Sequence, residues 1–498
     1  MIGINPFESV EARRRFLAQE ERLRQLSVVD RDLVRLGQMP DLARWLEQVA
    51  ATGGCARPVY VAGRSTVVDG ATGEVVREYS TAVEPGGRLA LRCRNRRATV
   101  CEPCSRLYQG DAWQVVKAGL VGGKGVAPSV REHPAVFLTL TAPSFGEVHR
   151  AGRCVRVREG SCEHGAPLGC GRRHREDSGL VGQPLCAGCY DYTGHVLWHA
   201  HAGRLWSLFV DALYYRLGVA GGLGKSAVRR ALRVSAVKVA EFQKRGAVHF
   251  HAVVRLDGPQ GPEAVGPAAA DGGTTGPASL ENEPPEWASI GVLLAAVRSA
   301  AVAARVRVVS SDAYAVPALK FGDQVEVHPI AGAGVATDER VAAYLAKYTT
   351  KSTDGSGALD HRITSGRQVQ FLPVSGHVRA LVGMAWRLGG LAELAHLRLR
   401  LWAHALGFRG HCLTKTRAYS VTFKRLRADR AAYGGTRRLG PGELIIGEWR
   451  FVRAGHSPGE AQVAAQIAWE GQRARELARD YRVLGWVGGW GTAGTRAG

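Results

Sequence analysis

Two β-favouring runs, Val234-Ser-Ala-Val-Lys-Val-Ala-Glu-Phe-Gln243 and Ala247-Val-His-Phe-His-Ala-Val-Val254, are separated only by Lys244, Arg245 and Gly246. A three-residue connection ending in glycine is a hairpin signal, because glycine takes the left-handed backbone that turns one strand onto the next. Residue 243 then pairs with 247, and Glu241 faces His249 across the strands. Side chains alternate along a strand, so His249 and His251 share one face while Phe250 points into the core. Two imidazoles and the Glu241 carboxylate form a three-donor site with positions left open for substrate; Gln243 lies on the same face and rivals Glu241 as the third ligand. Such donors suit a divalent ion of the Mn²⁺ or Mg²⁺ type acting as Lewis acid on a phosphate. A His-x-His pair standing alone more often decorates a surface than holds a metal.

A second segment, Tyr344-Leu-Ala-Lys347-Tyr348-Thr-Thr-Lys351, changes that balance. Helical spacing over residues 337–351, with Thr337 or Asp338 as N-cap, places Tyr344, Lys347, Tyr348 and Lys351 at i, i+3, i+4 and i+7 on one face. That face matches a phosphodiester: a phenolate attacks phosphorus, and the lysines favour the ionised phenol and hold phosphate oxygens. An amphipathic helix with tyrosines against a core and snorkelling lysines is the plainer explanation of one Tyr-x-x-Lys unit. Two such units downstream of a His-Phe-His strand favour chemistry.

The charge agrees with a polyanionic partner. The 498 residues carry 66 Lys and Arg against 44 acids, a formal net charge of +22, which points to nucleic acid. No stretch reads as a membrane span, since the longest apolar candidate, residues 290–306, is broken by Arg298 and Arg305. The N-terminus lacks a signal-peptide plan, so the expected location is the cytoplasm. Thiols stay reduced there, and ten cysteines are then better explained by structural Zn²⁺ than by disulfides. Cys101-x-x-Cys104 with Cys93 and Cys55 makes a first all-cysteine site. In a second cluster Cys186-x-x-Cys189 is a half-site, completed by Cys170 with His174 or by Cys162 with His164. One or two zinc ions are expected.

Along the chain, residues 1–50 read as a helical lead-in and 51–130 as a zinc-binding module. Residues 131–377 read as the catalytic domain, with a zinc-cluster insertion at 154–189 and a flexible insertion at 257–287. A basic, mainly helical region follows at 378–484, then a disordered Gly-rich tail at 485–498.

In order, Phe137-Leu-Thr-Leu-Thr141, Val248-His-Phe-His-Ala252 and the tyrosine segment resemble the three motifs of HUH rolling-circle initiators. More narrowly, the chain is similar to the replication initiators of actinobacterial plasmids and integrative elements, and its tyrosine pair resembles the two-tyrosine branch. The resemblance implies an α+β fold: a nuclease core on a five-stranded antiparallel sheet flanked by helices. It implies nicking at a replication origin, a 5′-phosphotyrosine intermediate and a 3′-OH primer, with one tyrosine acting at initiation and the other at termination. No phosphate-binding loop of the Gly-x-x-x-x-Gly-Lys-Ser/Thr type occurs, so unwinding and synthesis fall to a host helicase and polymerase. A two-tyrosine single-strand transposase, a conjugative relaxase and a non-enzymatic zinc-dependent DNA-binding regulator are the rival readings.

Overall fold

The structure is a computed structural model that describes residues 14, 18, 21–261, 282–308, 311–316, 318–330, 334–350, 359, 361–433, 439–440 and 442–487. At 334–337, 350 and 481–487 the backbone alone is described. Most of the insertion expected at 257–287 lies outside these residues, as does Lys351.

By internal contact the chain forms two units, one of residues 1–107 with 435–498 and one of residues 108–434. In the first, strand β1 (Val59–Asp69) pairs antiparallel with β2 (Val75–Ser80) and β3 (Leu89–Leu91), and along its other edge with the returning strand Glu443–Ala454. That strand falls in the region read as mainly helical, and it belongs to the same unit as the N-terminal residues. Helices Val28–Gly37 and Leu42–Ala51 pack with helix Pro458–Val487 around Leu36, Trp45, Val49 and Ala464. The long helix runs through 485–487, where the tail was expected to begin; residues 488–498 lie outside the described set.

The second unit is built on a five-stranded antiparallel sheet in the order β11 (Val325–Pro329), β4 (Ala135–Leu140), β8 (Val248–Asp257), β7 (Arg233–Phe242), β12 (Leu413–Lys415). The fold is thus α+β with antiparallel sheets. Strand β12 comes from beyond residue 377, so the region read as a separate C-terminal part closes one edge of this sheet. Two-residue strands β5 (Gly152–Arg153) and β6 (Arg173–His174) pair with each other, as do β9 (Arg305–Val306) and β10 (Leu319–Lys320).

Alternation along the strands gives the sheet two different faces. Val136, Leu138, Leu140, Phe250, Ala252 and Val254 point to one side, against helices Tyr192–Ala220 and Ile290–Ala303. Ala135, Val237, Val239 and Val253 point to the other, where Val116, Leu120, Ala342, Leu345 and Tyr419 cover them. The helix expected over 337–351 starts three residues earlier and spans Gly334–Thr350.

One end of the β7–β8 hairpin is anchored by a buried ionic cluster. Arg255, with no exposed surface, donates from Nε to Asp257 Oδ1 at 2.6 Å and from Nη2 to Oδ2 at 2.9 Å. His133 Nδ1 lies 2.8 Å from the same carboxylate, and the Ser235 hydroxyl donates to it. Burial alone would raise the Asp257 carboxyl, but His133, Arg255 and Ser235 together hold it below its ordinary value. Asp257→Ala leaves the Arg255 guanidinium buried without its counter-charge, and is expected to destabilise this unit by about 3–5 kcal/mol. Because the folded pKa is depressed, the wild-type contribution is present above the unfolded carboxyl pKa of about 3.9 and is lost as pH falls through the folded value. Calorimetric melting of wild type and variant at neutral pH checks this; a loss under about 1 kcal/mol contradicts it.

Candidate active site

The hairpin turns at Lys244-Arg245-Gly246, with Gly246 at φ +77° and Gln243 N donating to Ala247 O at 2.8 Å. Glu241 pairs with His249, and Val239 with His251, the register that the three-residue connection predicts. Phe250, fully buried, packs edge-on or tilted against Trp198, Trp206 and Phe321 on the opposite face.

On the other face of these two inner strands three donor atoms converge, two of them on buried residues. Glu241 Oε2 lies 3.0 Å from His249 Nε2 and 3.1 Å from His251 Nε2, and the two Nε2 atoms are 3.1 Å apart. Gln243 is engaged elsewhere: its Oε1 accepts from Arg245 Nε at 2.9 Å. Of the two rivals, Glu241 is therefore the residue whose oxygen joins the histidines. A near-equilateral triangle with edges of 3.0–3.1 Å matches three adjacent corners of an octahedron with metal–ligand bonds of about 2.1 Å, whose edges are about 3.0 Å. A tetrahedral zinc site with Zn–N bonds of about 2.05 Å needs wider edges of about 3.3 Å.

Thr139 completes the set from β4. Its Oγ1 is 3.2 Å from His251 Nδ1, which directs the other nitrogen of that ring, Nε2, at Glu241 and His249. Burial lowers the His251 pKa, so the ring is neutral at neutral pH and has a lone pair to offer. Sequence reasoning passed over Thr139; the signal was its place two residues from Phe137 on the same strand face. Glu326 on β11, paired with Thr139, adds an unforeseen negative charge nearby.

Helix Gly334–Thr350 brings both tyrosines to this triad. The ring centroids of Tyr344 and Tyr348 lie 5.2 Å and 5.3 Å from that of His251, and 4.6 Å from each other. Phe137 meets Tyr344 edge-on at 5.7 Å and stacks on His251 at 6.0 Å. Tyr344 is 40% exposed, so the residue is open to solvent beside the triad. Lys347 is exposed on the same helix. The lysines were expected to favour an ionised phenol, but the surroundings of Tyr344 work the other way. Burial raises its pKa, and the hydrogen bond to and field of Tyr348 and the charges of Glu241 and Glu326 raise it further.

The cysteines gather into three further groups of metal-ligating side chains, each with its donor atoms within 4.8 Å of one another. In the first unit Cys55, Cys93, Cys101 and Cys104 come together, as expected. Cys101 Sγ and Cys104 Sγ are 3.7 Å and 3.6 Å from Cys55 Sγ, close to the edge of about 3.8 Å for a tetrahedron with Zn–S bonds of about 2.3 Å. The N–H groups of Ala56, Cys93 and Asn95 donate to these sulfurs, and Cys104, Cys55 and Cys93 lower the Cys101 thiol. The chemistry of the set fits zinc.

The second expected cluster is two. Cys162, Cys186 and Cys189 join His164, whereas Cys170 and His174 join His149 and Cys154. The five residues Cys162, Cys170, His174, Cys186 and Cys189, pooled as candidates for one site, do not share one. His149 and Cys154 were missed because neither stands in a Cys-x-x-Cys or similarly spaced pair.

Among the described residues no helix is long and apolar enough to cross a membrane. No solved structure matches the chain. A replication initiator protein of Streptomyces ambofaciens is 40% identical over 465 residues, covering 90% of this chain and 95% of that protein. The family model described as replication initiator protein, pSAM2 (RepSA), matches residues 41–469, which include every residue assembled above. With most of its length matched by that model and by a relative of this identity, the chain belongs to the RepSA family of replication initiator proteins.

Proposed function

We propose that this initiator opens replication by nicking one DNA strand at an origin, as a metal-dependent HUH endonuclease of the two-tyrosine type. The observation that carries the reading is the meeting of both tyrosine rings with His251, itself joined to His249 and Glu241. Glu241, His249 and His251 hold a divalent ion of the Mn²⁺ or Mg²⁺ type, which supplies positive charge to the scissile phosphate. Tyr344 or Tyr348 forms a bond from its phenolic oxygen to phosphorus, and the P–O3′ bond breaks. The 5′-phosphate stays on the tyrosine and the 3′-OH is left as primer. The second tyrosine lies 4.6 Å away, ring to ring, so it reaches the same phosphate position when the displaced strand is released. Lys347, and Lys351 four residues further along the sequence, hold phosphate oxygens.

The raised pKa of Tyr344 fits this division of labour. In its resting surroundings the phenol keeps its proton, and opposing carboxylates Glu241 and Glu326 make a cationic partner necessary for attack. The four cysteines Cys55, Cys93, Cys101 and Cys104 hold a structural zinc ion that orders the first unit. The DNA partner is the origin; host helicase and polymerase complete replication, and the protein acts in the cytoplasm.

Incubation of supercoiled plasmid carrying the DNA beside the gene tests the reading. Open-circular product is expected with Mn²⁺ or Mg²⁺ and none with a chelator; nicking that is indifferent to chelation, or no nicking of any origin-bearing plasmid, rejects it. Thr139→Val removes the hydrogen bond to His251 Nδ1 with little change of volume. It is expected to weaken Mn²⁺ affinity about tenfold, measured as the Mn²⁺ concentration giving half-maximal nicking, with the maximal rate changed less.

A further inference from the structure

Between β4 and helix Tyr192–Ala220 the chain makes an excursion closed at its neck. Asp191 N donates to Phe145 O at 2.7 Å, Leu185 N to Glu147 O at 2.9 Å, and His149 N to Gln183 O at 2.8 Å. Beyond that neck the segment has almost no apolar interior: Cys154 and Val155 are buried, while Val157, Leu168 and Leu180 are exposed. Its only strands, β5 and β6, are two residues each. Secondary structure and a core this small do not hold a loop of that length, so cross-links must.

The cross-links are supplied by two four-donor groups that alternate along the chain. His149 Nδ1 is 3.5 Å from Cys154 Sγ, Cys170 Sγ is 3.3 Å from His174 Nε2, and these four residues form one group. His164 Nδ1 is 3.3 Å from Cys189 Sγ, in the other group with Cys162 and Cys186. A tetrahedron with Zn–S bonds of about 2.3 Å and Zn–N bonds of about 2.05 Å has S···N edges of about 3.6 Å, near the separations of both groups. Thiolate and imidazole donors in fours, with no carboxylate among them, select zinc over Mg²⁺ or Ca²⁺. Residues 149 and 154 serve the first group, 162 and 164 the second, 170 and 174 the first again, and 186 and 189 the second. Each group closes a loop that contains half of the other.

We propose that residues 147–190 form a cross-braced module holding two zinc ions, one on His149, Cys154, Cys170 and His174 and one on Cys162, His164, Cys186 and Cys189. The two ions replace the missing core, and each fixes the chain path on which the other's ligands lie. The module also props the catalytic hairpin: Gly182 N donates to His149 O at 2.9 Å, and the Gly182 backbone lies directly against the Lys244 carbonyl in the turn between β7 and β8. The assignment does not depend on the nicking chemistry, and its test uses no activity measurement.

Zinc per chain is measured by elemental analysis on gently purified full-length wild type and on a variant with Cys154, Cys162, Cys170 and Cys189 changed to serine. The expected difference is two ions per chain; a difference of one or none overturns the proposal. Thiol alkylation of the wild type with peptide mapping guards against misfolding of the variant. Cys412, the one cysteine of the ten outside every cluster, serves as the internal reference. Cys189 is exposed and Cys162, Cys170 and Cys186 are half-buried like Cys412, so without metal they are no less accessible to the reagent than Cys412. The proposal expects all four, with Cys154, to be protected until a chelator is added and then to become reactive together. Alkylation of the set at the rate of Cys412 before chelation overturns it.

Discussion

Changing Tyr344 and Tyr348 together to phenylalanine is expected to reduce cleavage of an origin strand by at least about 10³-fold, while DNA binding persists. The substitution removes two hydroxyl groups and leaves the rings that pack on His251 at 5.2 Å and 5.3 Å, so the fold and the DNA-facing charge are retained. Each single variant keeps one phenol beside the triad and therefore keeps a nucleophile for one transfer. Because strand release needs a second phenol, the single variants are expected to accumulate covalent protein–DNA adduct instead of recycling. Cleavage of a labelled oligonucleotide, read beside a gel-shift of the same strand, separates the two effects. Persistent cutting by the double variant removes both tyrosines from the mechanism.

The second large effect is expected from His249→Ala combined with His251→Ala. These changes take two of the three donors and leave Glu241 alone of the set. Loss of the Lewis acid is worth several kcal/mol at the transition state, on the order of 10³-fold in rate. The stimulation of nicking by Mn²⁺ should vanish in the same variant, since a lone carboxylate does not hold a catalytic ion. The buried Phe250 and the Arg255–Asp257 anchor are untouched, so melting of the unit should move little by comparison. A metal-dependent rate equal to wild type contradicts the triad.

The hairpin was legible in the sequence because every determinant is local. Three residues ending in Gly246 set the turn, and strict alternation then set which side chains meet Glu241. The tyrosine helix was legible for the same reason, apart from its first turn, where Gly334-Val-Ala carries no capping side chain to mark a start. What brings that helix onto His251 is packing of Ala342 and Leu345 on Val237, Val239 and Val253, and no spacing within the helix encodes it. The return of Glu443–Ala454 to β1 was illegible because nearly all of its side chains are exposed, so the strand lacks the alternating burial that a period-two reading relies on. Its partner is also some 380 residues away along the chain.

The metal-ligating clusters show the same boundary between local and distant information. Cys101-x-x-Cys104 and Cys186-x-x-Cys189 announce themselves by spacing, since two thiols three residues apart can reach one ion. Partition of the remaining ligands depends on which loop folds over which, and the antiparallel pairing of Gly152 with His174 decides it for Cys154 and His174. A motif search centred on cysteine pairs leaves His149 unassigned, although its backbone is part of the neck that closes the segment.

The central claim is that a tyrosine on helix Gly334–Thr350 becomes bonded to the 5′ end of the cut strand. The most direct measurement is covalent capture on a labelled strand from the origin, followed by proteolysis and mass spectrometry of the nucleotide-bearing peptide. The account predicts an adduct on Tyr344 or Tyr348, attached through the 5′-phosphate, formed only when a divalent ion is present. An adduct on any other residue, or cleavage that leaves a free 5′-phosphate with no protein attached, contradicts it.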